Sequence, residues 1–188
     1  MSLLLGILNA QAAGGSYDSA FDLLETTTLS TSASSVTFSG LGAYSDYKHL
    51  QIRALARCDS GNQLNGFDLR FNGNSSSVYT FHRLSGNGSS VTSFGLSSAI
   101  GYALLSNQTG GGEASGSYSA TVTDILDFSS NTKNTTMRTL TGQAGSTNRI
   151  QLISVAYLQT EAITSINLFD SAGNSFVAGS RFSLIGIK

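Results

Sequence analysis

The 188-residue chain has no proline, no tryptophan, one cysteine and two histidines, and its charged residues make up only 11%, where a soluble domain usually carries about a quarter. Each shortage excludes something. The lone Cys58 rules out an intrachain disulfide and a cysteine-based zinc site. It reads as a buried, inert thiol in a chain made in a reducing compartment. His49 and His82 lack metal-ligand spacing, and H-E-x-x-H, C-x-x-C and G-x-S-x-G are all missing. The ten Lys and Arg are scattered and the net charge is −1. No basic stripe is there to displace counterions from phosphates, so nucleic acid is not an expected partner.

What fills the gap is Ser, Thr, Asn and 21 Gly, beside 40% hydrophobic residues. That is too apolar for a disordered chain and long enough for one domain with a short appendage. From about Phe21 the dominant period is two. His49–Ala54 alternates, and Gly66–Asn72 sets Phe67, Leu69 and Phe71 on one face. Arg149–Leu158 is apolar on both faces, as expected of a central strand. Further strands are predicted over Ser35–Ser39, Val78–Leu84, Ile100–Leu105, Tyr118–Phe128, Thr135–Gly142, Ile163–Phe169 and Arg181–Ile187. Tyr17–Leu24 offers at most one helical turn. Asn72-Gly73-Asn74, Gly86-Asn87-Gly88 and Gly110-Gly111-Gly112 supply the turns. Longer loops are expected over Tyr102–Glu113 and Ser171–Val177. About ten strands with turn signals every 10–15 residues predict an all-β, antiparallel, jelly-roll-like sandwich over residues 17–188.

No catalytic constellation stands out. Asp124 and Asp127 straddle Ile125-Leu126, so a regular strand sends them to opposite faces, which argues against a glycosidase pair. Asp59-Ser-Gly-Asn reads as turn chemistry before it reads as a calcium loop, so neither a metal nor a cofactor is expected. The Asn-x-Ser/Thr sites at Asn74, Asn87, Asn107 and Asn134 arise by chance in such a composition.

The opening MSLLLGILNAQAAGGS is the exception to the β pattern. It has an A-x-A-like triplet but no positive residue ahead of its short apolar run, as a secretory signal would need. It is also far short of the roughly 20 apolar residues of a spanning helix, so membrane insertion is not expected. Residues 1–16 are read as a docking arm on a Gly-rich hinge. The apolar C-terminal strand Arg181–Ile187 must likewise be covered, by the opposite sheet or by a neighbour, and a ring of identical subunits is one way to do it. A homotrimer is the expected assembly.

Ser35-Val-Thr-Phe-Ser39, Tyr47-Lys-His-Leu-Gln-Ile-Arg53, Leu69-Arg-Phe-Asn-Gly73, Leu84–Ser90, Thr123–Ser129, and the closing Ile163–Phe169 with Gly173–Lys188 form a set of segments. Together they resemble a widespread family of tailed-phage virion proteins, many from aquatic phages. The resemblance covers about residues 20–188 and rests on turn-and-strand signatures. It implies a structural, fibre-like or tail-associated role in a virion assembled in the host cytoplasm, and it carries no catalytic residues. On that footing Leu3, Leu4, Leu5, Ile7 and Leu8 are expected to insert into a groove on the virion. Their burial is worth roughly 1.5–3 kcal/mol each before association costs. Tyr79, Tyr102 and Tyr118 are the candidate contacts for a host surface glycan. The first expectation is a non-enzymatic tail fibre or adhesin subunit; the alternatives are a head decoration or cement protein, a secreted carbohydrate-binding module and a glycan hydrolase.

Overall fold

A computed structural model describes residues 19–188. The docking-arm residues Leu3, Leu4, Leu5, Ile7 and Leu8 lie outside the described residues. The rest is all-β: β1 (Phe21–Thr28), β2 (Ser35–Ser39), β3 (His49–Ala56), β4 (Leu64–Phe71), β5 (Tyr79–Gly86), β6 (Val91–Gly95), β7 (Ala103–Thr109), β8 (Ser119–Leu126), β9 (Thr135–Gln143), β10 (Arg149–Tyr157), β11 (Ser165–Phe169) and β12 (Arg181–Ile187), with one 3-10 turn at Leu41–Tyr44.

The strands form two antiparallel sheets, ordered β1-β12-β3-β8-β9-β10-β5-β6 and β2-β11-β4-β7. Set the hairpins β5–β6 and β9–β10 aside. Then β1 pairs β12, β2 pairs β11, β3 pairs β8 and β4 pairs β7. Among the eight remaining strands this is first with last, second with seventh, third with sixth and fourth with fifth. That nesting is a jelly roll. The two hairpins both extend the same sheet, which therefore has eight strands facing four.

Period-two sequence makes these strands, and the inner residues build the core. In β2, Val36 and Phe38 point inward between exposed Ser35, Thr37 and Ser39. Phe67, Phe176 and Phe182 meet at centroid distances of 4.8–6.0 Å, within the range that favours aromatic pairs. A second cluster joins Phe71, Tyr79 and Tyr157. Further along, hydroxyl pairs take over the interior: Thr121 with Thr141 at 2.9 Å, Thr123 with Thr139 at 2.8 Å and Ser106 with Thr121 at 3.3 Å. Each of these five hydroxyls thus keeps a partner, as burial demands.

Turn chemistry follows the sequence in two of three places. Asn72 (φ 52°) and Gly73 (φ 67°) form a left-handed pair closed by Asn74 N–H donating to the Phe71 carbonyl at 2.8 Å. The Asn72 Oδ1 also accepts from the Thr164 and Ser165 amides, tying that turn to the start of β11. In Gly86-Asn87-Gly88, Gly88 is left-handed and the Asn87 Oδ1 accepts from the Ser89 and Ser90 amides. Gly110-Gly111-Gly112 differs. Here a Cβ would fall 2.0–2.7 Å from the Asn62, Ser60 and Gly61 carbonyls, so these glycines permit backbone-to-backbone contact rather than a positive φ.

Two expectations are corrected. Tyr17–Leu24 holds no helical turn among the described residues; from Phe21 it is β1, whose bulge between Leu23 and Glu25 breaks the alternation. Tyr102–Glu113 is not one long loop, because Ala103–Thr109 is β7. The apolar terminal strand β12 is covered within its own domain, one of the two ways expected: it lies between β1 and β3 with Phe182 and Leu184 in the core, so it supplies no reason of its own for a trimer.

Tyr79 is fully buried, and its hydroxyl accepts the Phe71 N–H at 2.9 Å while donating to the Asn74 carbonyl at 3.2 Å. Tyr79→Phe leaves a buried amide unpaired and lowers the unfolding free energy by about 1–3 kcal/mol; denaturant unfolding measures it.

Candidate interaction surfaces

The larger sheet turns one face to the sandwich and the other outward, and the outward face is apolar where it is widest. Leu84 (β5), Leu152 (β10), Leu140 (β9) and Val122 (β8) are direct cross-strand neighbours in one row. Ile150 and Val91 flank them, facing the small Gly86 and Gly142. These six side chains are between 39% and 71% exposed. β10 thus has Ile153 and Val155 in the core and Ile150 and Leu152 in solvent. The sequence reading of a strand apolar on both faces is right, but only one of those faces is covered. Scattered surface leucines are ordinary; a contiguous row across four strands is a candidate interaction surface.

Beside the row runs an ordered polar strip. Asp124 accepts from Gln51 Nε2 at 2.8 Å and Arg138 Nε at 3.1 Å, while Arg53 Nε donates to Gln51 Oε1 at 2.7 Å. An open groove of about 830 Å³ continues across the face to the sheet edge, lined by Val122, Arg53, Leu55, Ile185, Leu23 and Phe21. The last two stand at the start of β1, where the chain enters the domain.

The outward face of the smaller sheet is different. Arg70 lies over the Phe169 ring at 4.5 Å and donates to the Gly101 carbonyl at 2.9 Å, and Tyr102 meets Phe169 edge-on at 6.3 Å. Of the three candidate glycan contacts, Tyr102 is half-buried in this cluster. Tyr79 is corrected: it is a core residue with no face for a sugar ring. Tyr118 is half-buried, with its hydroxyl donating to the Ala178 carbonyl at 2.9 Å.

The remaining polar residues stabilise loops. The Arg57 guanidinium donates to the carbonyls of Gly111, Glu113, Ala114 and Ser117, clamping the β7–β8 loop. Glu113 accepts from the amides and hydroxyls of Ser146 and Thr147 at 2.8–3.0 Å. Those donors, Ser146 foremost, hold its carboxyl down at about 2. Asp68 is fully buried, with one oxygen accepting the Ser171 amide and the other unpartnered; burial pushes its carboxyl up to about 6. Asp170 accepts from Asn65, Ala172 and Asn174, and Asp59 from the Ser175 amide. Burial raises the Cys58 thiol, leaving it a poor nucleophile. His49 Nδ1 accepts the Asp127 amide at 2.9 Å, and Asp127 pairs with Lys133. Asp124 and Asp127 therefore serve separate networks. Among the described residues no group of three His, Cys, Asp or Glu could hold a metal ion, and no helix is long and apolar enough to cross a membrane.

Two pH effects follow, of opposite sign. The depressed Glu113 contributes stability above its ordinary value near 4.5, lost as pH falls toward 2. Glu113→Gln therefore lowers stability at pH 7, and its deficit against wild type closes between about pH 4.5 and 2. The raised Asp68 destabilises instead: its penalty grows as pH rises from about 3.8 to 6 and is complete above that. Asp68→Asn gains up to about 3 kcal/mol at pH 8 and little at pH 4. Urea unfolding across pH tests both.

No protein-family model matches the chain, and no curated protein matches it. Among solved structures it is similar to a chain described as the crystal structure of HCR/D-Sa-GBL1/C, at 11% identity and a TM-score of 0.29, covering 87% of this chain and 42% of that one. So shallow a likeness carries no argument.

Proposed function

We propose that this chain is a non-catalytic structural subunit of a tailed-phage virion, a tail fibre or adhesin protein in preference to a head decoration protein. The observation that supports an assembly role is the uncovered row Leu84–Leu152–Leu140–Val122 on a continuous eight-stranded sheet. A rigid sheet fixes those side chains at the 4.7–4.9 Å strand spacing, so they present a flat, preorganised face whose burial is worth roughly 25 cal/mol per Å². A neutral, hydroxyl-rich remainder keeps such a subunit from binding polyanions, and the carboxylates are engaged in loop and strand networks rather than converging on a cleft. The expected homotrimer buries this face on the particle. The Tyr102–Phe169–Arg70 cluster lies on the opposite outer face of the sandwich and is left for a host surface glycan. The phage assignment itself rests on the resemblance of residues 20–188 to that virion family.

The test is particle incorporation. Leu140→Glu with Leu152→Glu changes only exposed side chains, so the variant keeps the wild-type circular dichroism spectrum. It is expected to be missing from purified virions, in which wild-type chains cross-link as trimers and antibody labels the tail. Normal incorporation of the double variant overturns the assembly role. Label on the capsid surface turns the reading to decoration.

A further inference from the structure

The β5–β6 and β9–β10 turns lie side by side at one end of the larger sheet, because β5 pairs β10 and each belongs to a hairpin. Between them opens a pocket of about 220 Å³ lined by Asn87, Gln143, Asn148, Arg149 and Ile150. Gln143 and Arg149 are cross-strand partners, and Gln143 is only 8% exposed. Its Nε2 and Oε1 both lack a hydrogen-bond partner among the described residues, and so does the buried Nε of Arg149. A buried donor or acceptor left unpaired costs free energy, and a group bound in the pocket recovers it.

Two cations at this end of the sheet lack a carboxylate partner. Arg149 forms no ion pair among the described residues, and neither does Arg83, which lies over the Phe94 ring at 5.7 Å. Both stand on the same side of the sheet as the core residue Ile153, the cross-strand partner of Arg83. Burial, and then the charge of Arg149, hold the Arg83 guanidinium below its ordinary value. Glu113, the carboxylate that meets the β9–β10 loop, is held by Ser146 and Thr147 instead. Asn87 Oδ1 accepts from the Ser89 and Ser90 amides, and Asn148 Oδ1 from the Gly145 amide, which leaves both side-chain nitrogens to donate. The pocket therefore presents four donors, one of them charged, and one acceptor, Gln143 Oε1.

We propose that this pocket binds a uronic acid residue of a host surface polysaccharide, Arg149 and the amide donors holding its carboxylate while Gln143 Oε1 accepts from a ring hydroxyl. The guanidinium fork matches a carboxylate in shape and charge. Ionised phosphate esters and the side chains of Asp and Glu supply acceptors alone and leave Gln143 Oε1 unpaired. A sugar acid carries both kinds of group on one ring. The volume lies under the roughly 300–1,000 Å³ of a drug-sized cleft, which suits a single ring, and the exposed Ile150 gives its C–H face an apolar wall. The site is separate from the Tyr102–Phe169–Arg70 cluster on the smaller sheet. The inference deepens the adhesin reading by naming the class of sugar, and it rests on that reading for the ligand's source.

The experiment titrates the full-length ¹⁵N-labelled protein with tetragalacturonate, its methyl ester, tetraglutamate and inorganic phosphate. Tetragalacturonate is expected to shift the side-chain signals of Gln143, Asn148 and Arg149, and to bind at least about tenfold more tightly than each of the other three. Arg149→Gln changes a half-buried side chain without a partner, so the variant keeps the wild-type circular dichroism spectrum, and it should lose at least about tenfold in affinity. Gln143→Leu should weaken binding as well. No shift with tetragalacturonate, wild-type affinity in Arg149→Gln, or equal binding of the methyl ester overturns the inference. Equal binding of tetraglutamate or phosphate overturns it in favour of an anion site without sugar specificity. Shifts at Tyr102 and Phe169 alone overturn it in favour of the smaller sheet. Binding is read on free protein and incorporation on particles, so either can fail without the other.

Discussion

The last strand, β12, lies between the first, β1, and the third, β3, and the rest of the structure depends on that antiparallel pairing. Once β1 and β12 are joined, the chain folds like a doubled ribbon, and each later pair is forced into nested order until β4 meets β7. A ribbon wound this way makes two sheets of four. Insertions can only lengthen a sheet at a free edge. Both insertions, β9–β10 and β5–β6, extend from β8 on the same side. The surplus of four strands is therefore a product of topology, and it creates a sheet wider than the one that covers it.

That imbalance explains how side chains are partitioned. Over β8 and β9 the inner face carries Thr121, Thr123, Thr139 and Thr141, paired hydroxyl to hydroxyl. The outer face of the same strands carries Val122 and Leu140. The usual order, apolar inside and polar outside, is locally reversed. The interior tolerates the reversal because every one of those hydroxyls has a partner. The exterior has no such resolution within residues 19–188. An inside held by directional hydrogen bonds fixes the strand register tightly, and the register sets Leu84, Leu152, Leu140 and Val122 in line.

Much of this was legible from residue order. Ser35–Ser39 and Arg181–Ile187 match β2 and β12 residue for residue, because period-two alternation bounded by turn residues is unambiguous in a chain without proline. β1 was missed because its bulge shifts the alternation mid-strand. β6 was missed because Val91–Gly95 is exposed on every residue and so has no inside–outside contrast to read. The sites were less legible than the strands. An aromatic on a strand gives the same local signal whether it stacks in the core, like Tyr79 on Tyr157, or stands half-buried on an outer face, like Tyr102. What separates them is which face its strand turns to the other sheet, a tertiary fact. The apolar row did leave a trace: β10 has hydrophobic residues on both faces. Hydropathy alone cannot say that the second face stays uncovered.

The two outer faces of the sandwich also differ in what they ask of a partner. On the smaller sheet, Arg70 already covers one side of the Phe169 ring and its guanidinium is engaged with the Gly101 carbonyl. A ligand arriving there must fit around groups that are already satisfied. On the larger sheet nothing polar within the row needs to be matched, and the adjoining strip of Arg53, Gln51, Asp124 and Arg138 is internally paired. A partner that supplies only apolar surface loses no hydrogen bonds there, and so gains nearly the whole transfer free energy of the leucines it covers. The larger face therefore suits a partner that supplies apolar surface, and the smaller one a partner that fits around polar groups already engaged.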